Sequence, residues 1–158
     1  MNKTGKNLLL TVFIAIALSL VVVLLGSCGE NQPSSSDNVV SEVVMATAVD
    51  ANDRPLNSTT VFSDNASGFY CSFKLAGFPV GSTIKADLVY VGGEMETQVG
   101  KNYLVDSQTG TIERKGEGYT LVVFPIPPVP DYTWPHGEYK IVISVDGQTK
   151  ASAYFKVE

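Results

Sequence analysis

Histidine occurs once in this 158-residue chain and cysteine twice. Zinc sites want three or four nitrogen or sulfur ligands, so the lone His136 excludes the usual arrangements, and the pattern asks for no metal and no cofactor. Basic residues are also short, with 11 Lys and Arg against 16 Asp and Glu and a net charge of −5. Nucleic acid and anionic lipid surfaces both select basic patches, so no nucleic-acid partner is expected. A Gly-rich phosphate loop is missing. After residue 38 so is any long stretch with the helical 3.6-residue period, which points away from helical folds.

What is present begins at the N-terminus. Lys3 and Lys6 precede an apolar run from Leu8 to Leu25, broken only by Thr11 and Ser19. A positive start, an apolar core and small residues before a cut site make an export signal. The run then ends in Leu25-Gly26-Ser27-Cys28, which resembles the lipobox of bacterial lipoproteins. The resemblance implies cleavage between Ser27 and Cys28 and lipid on the Cys28 thiol. It places the chain outside the cytoplasm, anchored in the cell membrane or outer membrane. An uncleaved membrane-spanning helix is the competing reading of the same run. Removing residues 1–27 takes away two lysines and no acid, so the charge of −5 becomes −7 in the remainder.

With Cys28 given to lipid, Cys71 has no intramolecular partner. It alternates in phase with Phe69, Phe73 and Leu75, which reads as a buried apolar position on a strand rather than a nucleophile. Residues 28–38 are polar and read as the lipidated cysteine and a flexible tether, with a typical span of roughly 17 Å. From residue 39 the period is two. Strands are expected over Val39 to Val49, Phe69 to Leu75, Ile84 to Tyr90, Asn102 to Val105, Gly110 to Arg114, Tyr119 to Phe124, Tyr139 to Val145 and Thr149 to Val157. Asp146-Gly147 between the last two is a type I′ hairpin signal. Seven or eight short strands over residues 39–158 predict an all-β, antiparallel sandwich.

The final third carries a second resemblance. Trp134-Pro135-His136-Gly137-Glu138-Tyr139, an alternating strand, Asp-Gly and a closing strand ending in Phe155-Lys156-Val157 resemble the end of bacterial extracellular immunoglobulin-like (Ig-like) domains. This implies an Ig-like β-sandwich. It departs from antibody domains in having no inter-sheet disulfide and in placing Leu88 where a third-strand Trp is expected.

Candidate sites are few. Tyr132 and Trp134 sit in a loop with five prolines between Pro125 and Pro135. They read either as a recognition loop for protein or sugar or as a rigid crossover with Trp134 capping the core. Asp50, Asp53 and Asp64 suggest calcium between loops or ordinary Asp turn chemistry. Glu94, Glu96, Glu113 and Glu117 read as a solvated acidic face. Ser82, Ser107 and Ser152 have no base beside them in sequence, and no enzymatic activity is expected. The function expected is that of a lipid-anchored extracytoplasmic module that binds protein or glycan or serves as a structural element. The alternative is a small cell-envelope enzyme or inhibitor.

Overall fold

The computed structural model describes residues 38–158. The signal peptide over 1–27, the cleavage point at Ser27 and Cys28, the lipidation site Cys28 and the tether as far as residue 37 lie outside the described residues. Among the described residues no helix is long and apolar enough to cross a membrane.

Among the described residues nine strands and one short helix follow in chain order: β1 Val39–Val49, β2 Pro55–Ser58, β3 Val61–Phe62, β4 Gly68–Ala76, β5 Thr83–Gly93, α1 Glu96–Val99, β6 Tyr103–Thr111, β7 Gly118–Pro125, β8 Gly137–Val145 and β9 Gln148–Val157. They form two sheets, ordered β2-β1-β4-β7 and β3-β9-β8-β5-β6. All pairings are antiparallel except that of β3 with β9. The order β1-β4-β7 is the A-B-E sheet of an immunoglobulin sandwich, and β9-β8-β5-β6 is its G-F-C-C′ sheet. The architecture is therefore an all-β, Ig-like sandwich.

Alternation explains the clearest strands. In β4, Phe69, Cys71, Phe73 and Leu75 point inward; in β5, so do Ile84, Ala86, Leu88 and Tyr90; in β8, Tyr139, Ile141, Ile143 and Val145. These rows meet in one core. The Asp146-Gly147 turn has positive φ at both residues, 50° and 77°, as a type I′ hairpin requires.

Three regions differ from the sequence reading. Asn102 to Val105 and Gly110 to Arg114 are not two strands, because β6 runs unbroken from Tyr103 to Thr111. It lies at a sheet edge and is almost wholly exposed, so neither face demands an apolar period. β2 and β3 were not expected; four and two residues are too short for alternation to register. β1 loses its pattern at a bulge between Ser41 and Val44, where Glu42 takes φ 50°. The extra residue shifts the inward face by one.

The two sheets are joined through an aromatic cluster. Phe69 on β4 lies 5.1 Å from Phe62 on β3, 4.7 Å from Phe155 on β9, 6.0 Å from Tyr139 on β8 and 4.4 Å from Trp134, between ring centroids. Tyr139 stacks on Phe155 at 5.4 Å. Its hydroxyl donates to the Pro135 carbonyl at 2.8 Å. A Tyr near the start of strand F that bonds back to the backbone just upstream is the tyrosine corner of immunoglobulin domains. In antibody domains the F-strand cysteine follows two residues later; Ile141 stands there, and Cys71 on the B strand is a free buried thiol. Burial pushes that thiol up to about 12.

Three outcomes follow from this core. Trp134→Ala should cost about 3–5 kcal/mol in denaturant unfolding, the range for a buried Trp. Tyr139→Phe, which removes only the corner hydrogen bond, should cost about 1 kcal/mol. Equal losses for the two would contradict the packing described. In a Cys28→Ala chain, where Cys71 is the sole thiol, a thiol reagent at mildly alkaline pH should react only as fast as the protein opens. Rapid labelling without denaturant would show that Cys71 is not enclosed.

Candidate functional site

Among the described residues a cleft of about 800 Å³ lies at one end of the sandwich. Four segments build it: the turn Ala51 to Arg54, the end of β4 with Phe78, the start of β5, and the link from Thr111 to Thr120. Its floor is apolar and nearly closed to solvent, with Leu75 at 8 %, Phe78 at 4 %, Ile84 at 7 % and Ile112 at 8 % exposure. Its rim carries Asp53, Arg54, Glu113, Arg114, Lys115 and Glu117. An apolar floor under a rim of both signs suits a partly apolar ligand held by polar contacts.

The turn at the rim is positioned by local chemistry. The Asp50 carboxylate accepts the backbone N–H groups of Asn52 at 2.8 Å and Arg54 at 2.9 Å. These bonds hold the Asp50 carboxyl below the usual carboxylate range, the Arg54 amide contributing most. The turn lies over the outer face of the β2-β1-β4-β7 sheet, where the buried Ser72 hydroxyl donates to the Asp53 carbonyl at 2.5 Å. Arg54 then sits 5.9 Å above the Tyr119 ring, within reach of a cation–π contact. The Tyr119 hydroxyl donates to Glu42, and Lys74 bridges Glu42 and Glu117. The bond from Tyr119 is the main reason that the Glu42 carboxyl is held low. The Glu117 contact does most to hold Lys74 above its ordinary value. This network fixes the bulged residue of β1 against β4 and β7.

His136 lies at the other end, beside Gly137 and Gly93, the last pair of the β5–β8 ladder. A Cβ on Gly137 would come within 2.5 Å of the Gly92 carbonyl oxygen, and its φ of 156° also favours glycine. The half-exposed imidazole is 3.5 Å from an Asp64 oxygen through Nε2 and 4.0 Å from a Glu94 oxygen through Nδ1. Ser63 donates to the other Asp64 oxygen at 3.3 Å. The carboxylate thus stands between hydroxyl and imidazole, whereas a nucleophilic triad needs the imidazole in the middle. Among the described residues no three His, Cys, Asp or Glu side chains converge as metal ligands.

The sequence candidates therefore scatter. Asp50 and Asp53 share one turn while Asp64 faces His136. Glu113 and Glu117 line the cleft, while Glu94 faces His136 and Glu96 pairs with Lys101 at 3.5 Å. Ser107 donates to Asp87 at 2.6 Å. Trp134 turns into the core at 3 % exposure, its indole N–H donating to the Ala66 carbonyl at 3.0 Å. Tyr132 packs edge-on against it at 5.6 Å. The loop aromatics hence serve as a core cap in this structure. Arg54, Phe78, Ile112, Arg114 and Lys115 had no mark in the sequence, because no two of their segments are joined by a short-range motif.

No protein-family model matches the chain, and no match is found among curated proteins. Solved structures do resemble it. One is the alkylpurine DNA glycosylase AlkC of Pseudomonas fluorescens, solved with DNA containing an abasic-site analogue. The TM-score is 0.52 at 12% identity, over 76% of this chain and 30% of that one. An immunoglobulin-like protein of Pseudomonas aeruginosa aligns with TM-score 0.47 and 12% identity, over 79% of this chain and 99% of that one. A β-glucosidase of Listeria innocua aligns with TM-score 0.43 and 7% identity, over 63% of this chain and 15% of that one. The chain spans 30% of the glycosylase and 15% of the glucosidase. At these identities the likeness is one of fold: a two-sheet β-sandwich.

Proposed function

We propose that this chain is an extracytoplasmic lipoprotein whose Ig-like sandwich, anchored through lipid on Cys28, binds a polypeptide partner at the cleft ringed by Arg54, Arg114 and Lys115. The observation that carries the reading is the cleft itself, an apolar floor of Leu75, Phe78, Ile84 and Ile112 beneath a rim of mixed charge. The closed floor gives the cleft its shape, and the exposed rim charges of both signs supply contact and orientation. A glycan would favour an exposed aromatic platform. The rim aromatic is Tyr119, already engaged by Glu42 and Arg54. The anchor rests on Leu25-Gly26-Ser27-Cys28 following the apolar run. Two or more acyl chains hold where a single chain binds only reversibly.

The anchor and the cleft are tested separately. Cys28→Ala should abolish incorporation of labelled fatty acid and leave the signal uncut. Undiminished labelling sinks the anchor. For the cleft, the full-length chain is crosslinked in its own envelope, with and without Arg114→Glu and Lys115→Glu together. These side chains sit on exposed residues, so the melting temperature should hold while the recovered partner falls about tenfold, the effect of losing roughly 1.4 kcal/mol of binding. Unchanged recovery means that the partner binds elsewhere.

A further inference from the structure

A two-sheet sandwich has four edges, and here three carry local devices that hinder pairing. β2 has four residues, opens on Pro55 and holds Asn57 at φ 51°. β3 has two residues and covers only Lys156 and Val157; the rest of that edge is β9, which skips Lys150 at a bulge and carries its charge. β6 is long, but it skips Val105 at a bulge opposite Leu88 and Val89. Its Asp106 carboxylate also accepts the Ser107 backbone N–H at 2.7 Å and the Gln108 side-chain amide at 3.0 Å. Short length, proline, bulges and edge charges are the means by which β-proteins block edge pairing.

β7 has none of these. From Gly118 to Pro125 it pairs with β4 residue by residue and without a register shift. It carries no charged side chain, its sole proline is its last residue, and Tyr119 to Val123 are half-buried rather than covered. It is the last strand of its sheet, so alternate backbone groups along its outer side have no strand to bond. Such an edge accepts one kind of occupant, an extended strand.

We propose that β7 is a homotypic interface, where two copies of this chain pair antiparallel through β7 and join their β2-β1-β4-β7 sheets into one. Residues opposite each other must share a sheet face. Tyr119, Leu121 and Val123 face outward, opposite Lys74, Ser72 and Tyr70 of β4. A two-fold axis at Leu121 sets Leu121 against Leu121 and Tyr119 against Val123 on that face. On the inner face it sets Thr120 against Val122. The pairs are apolar, aromatic with β-branched, or neutral, the kinds that stabilise neighbouring strands. No charge meets its own copy, the usual obstacle to self-pairing. The nearest acid, Glu117, falls opposite Pro125 and is already bound to Lys74.

The test uses the full-length chain in detergent and in its own membrane. The parent should sediment as a dimer, and Leu121→Glu, which sets two carboxylates across the axis, should sediment as a monomer. Leu121→Cys should oxidise to a covalent dimer about tenfold more readily than the parent or Tyr154→Cys, because only the axial position brings two β-carbons to bonding distance. Tyr154 lies on the other sheet and is 61 % exposed. A parent that stays monomeric, a dimer that survives Leu121→Glu, or equal crosslinking at positions 121 and 154 overturns the proposal. So does a monomer whose β7 amides gain exchange protection only from an added extended peptide, since the occupant is then not a second copy.

Discussion

The packing of Phe69 against rings from the opposite sheet and from the Pro-rich loop is the contact on which this sandwich depends. With Ile141 at the position of the second immunoglobulin cysteine, no covalent bond crosses between the sheets, and apolar contact must hold them together. Phe69 on β4 touches Phe62, Phe155, Tyr139 and Trp134. Each aromatic pair adds about 0.5–1.5 kcal/mol beyond its buried area, so several together rival the 2–4 kcal/mol typical of a disulfide. The Tyr139 hydroxyl, bonded to the Pro135 carbonyl, fixes the loop that delivers Trp134. The proline-rich segment thus spends its stiffness on placing a core side chain.

The two ends of the sandwich are built differently. Trp134, Tyr132 and the close Gly93–Gly137 approach fill the end where His136 lies. At the opposite end Leu75, Phe78, Ile84 and Ile112 are themselves nearly closed to solvent, and the charged segment around residues 113–117 forms the rim beside them. The polar network of Glu42, Lys74, Glu117 and Tyr119 ties a bulged residue to this rim. Ion pairing therefore gathers at the rim of the cleft rather than over its closed floor.

Polar chemistry read singly from the sequence divides by use once the chain is folded. Asp50 is an acceptor for its own turn, and Asp64 and Glu94 flank His136. Cys71 behaves as a small apolar residue with its thiol protonated. The long edges differ as well: β6 carries Asp106, which caps a neighbouring amide, whereas β7 offers an uncharged and continuous row. A sandwich in which one sheet guards its edge at β6 while the other leaves β7 unguarded has two long edges of different character.

Alternation of period two determined the inward faces of β4, β5, β8 and β9, and Asp146-Gly147 determined their last turn, because both signals are local and survive without knowledge of neighbours. Those elements were enough to specify an all-β sandwich. The Trp-Pro-His-Gly-Glu-Tyr run marks the Ig-like end without reference to any contact. The sequence left Trp134 between core and recognition, since a loop aromatic has no period to betray which way it faces; only the partners Phe69 and Ala66, far away in the chain, decided it. The bulge at Glu42, the short strands β2 and β3 and the continuity of β6 were hidden because each is set by a strand laid alongside. The cleft was hidden for the same reason. Its floor and rim come from segments spread between residues 51 and 120, and a surface of that kind exists only after the long-range pairings have formed.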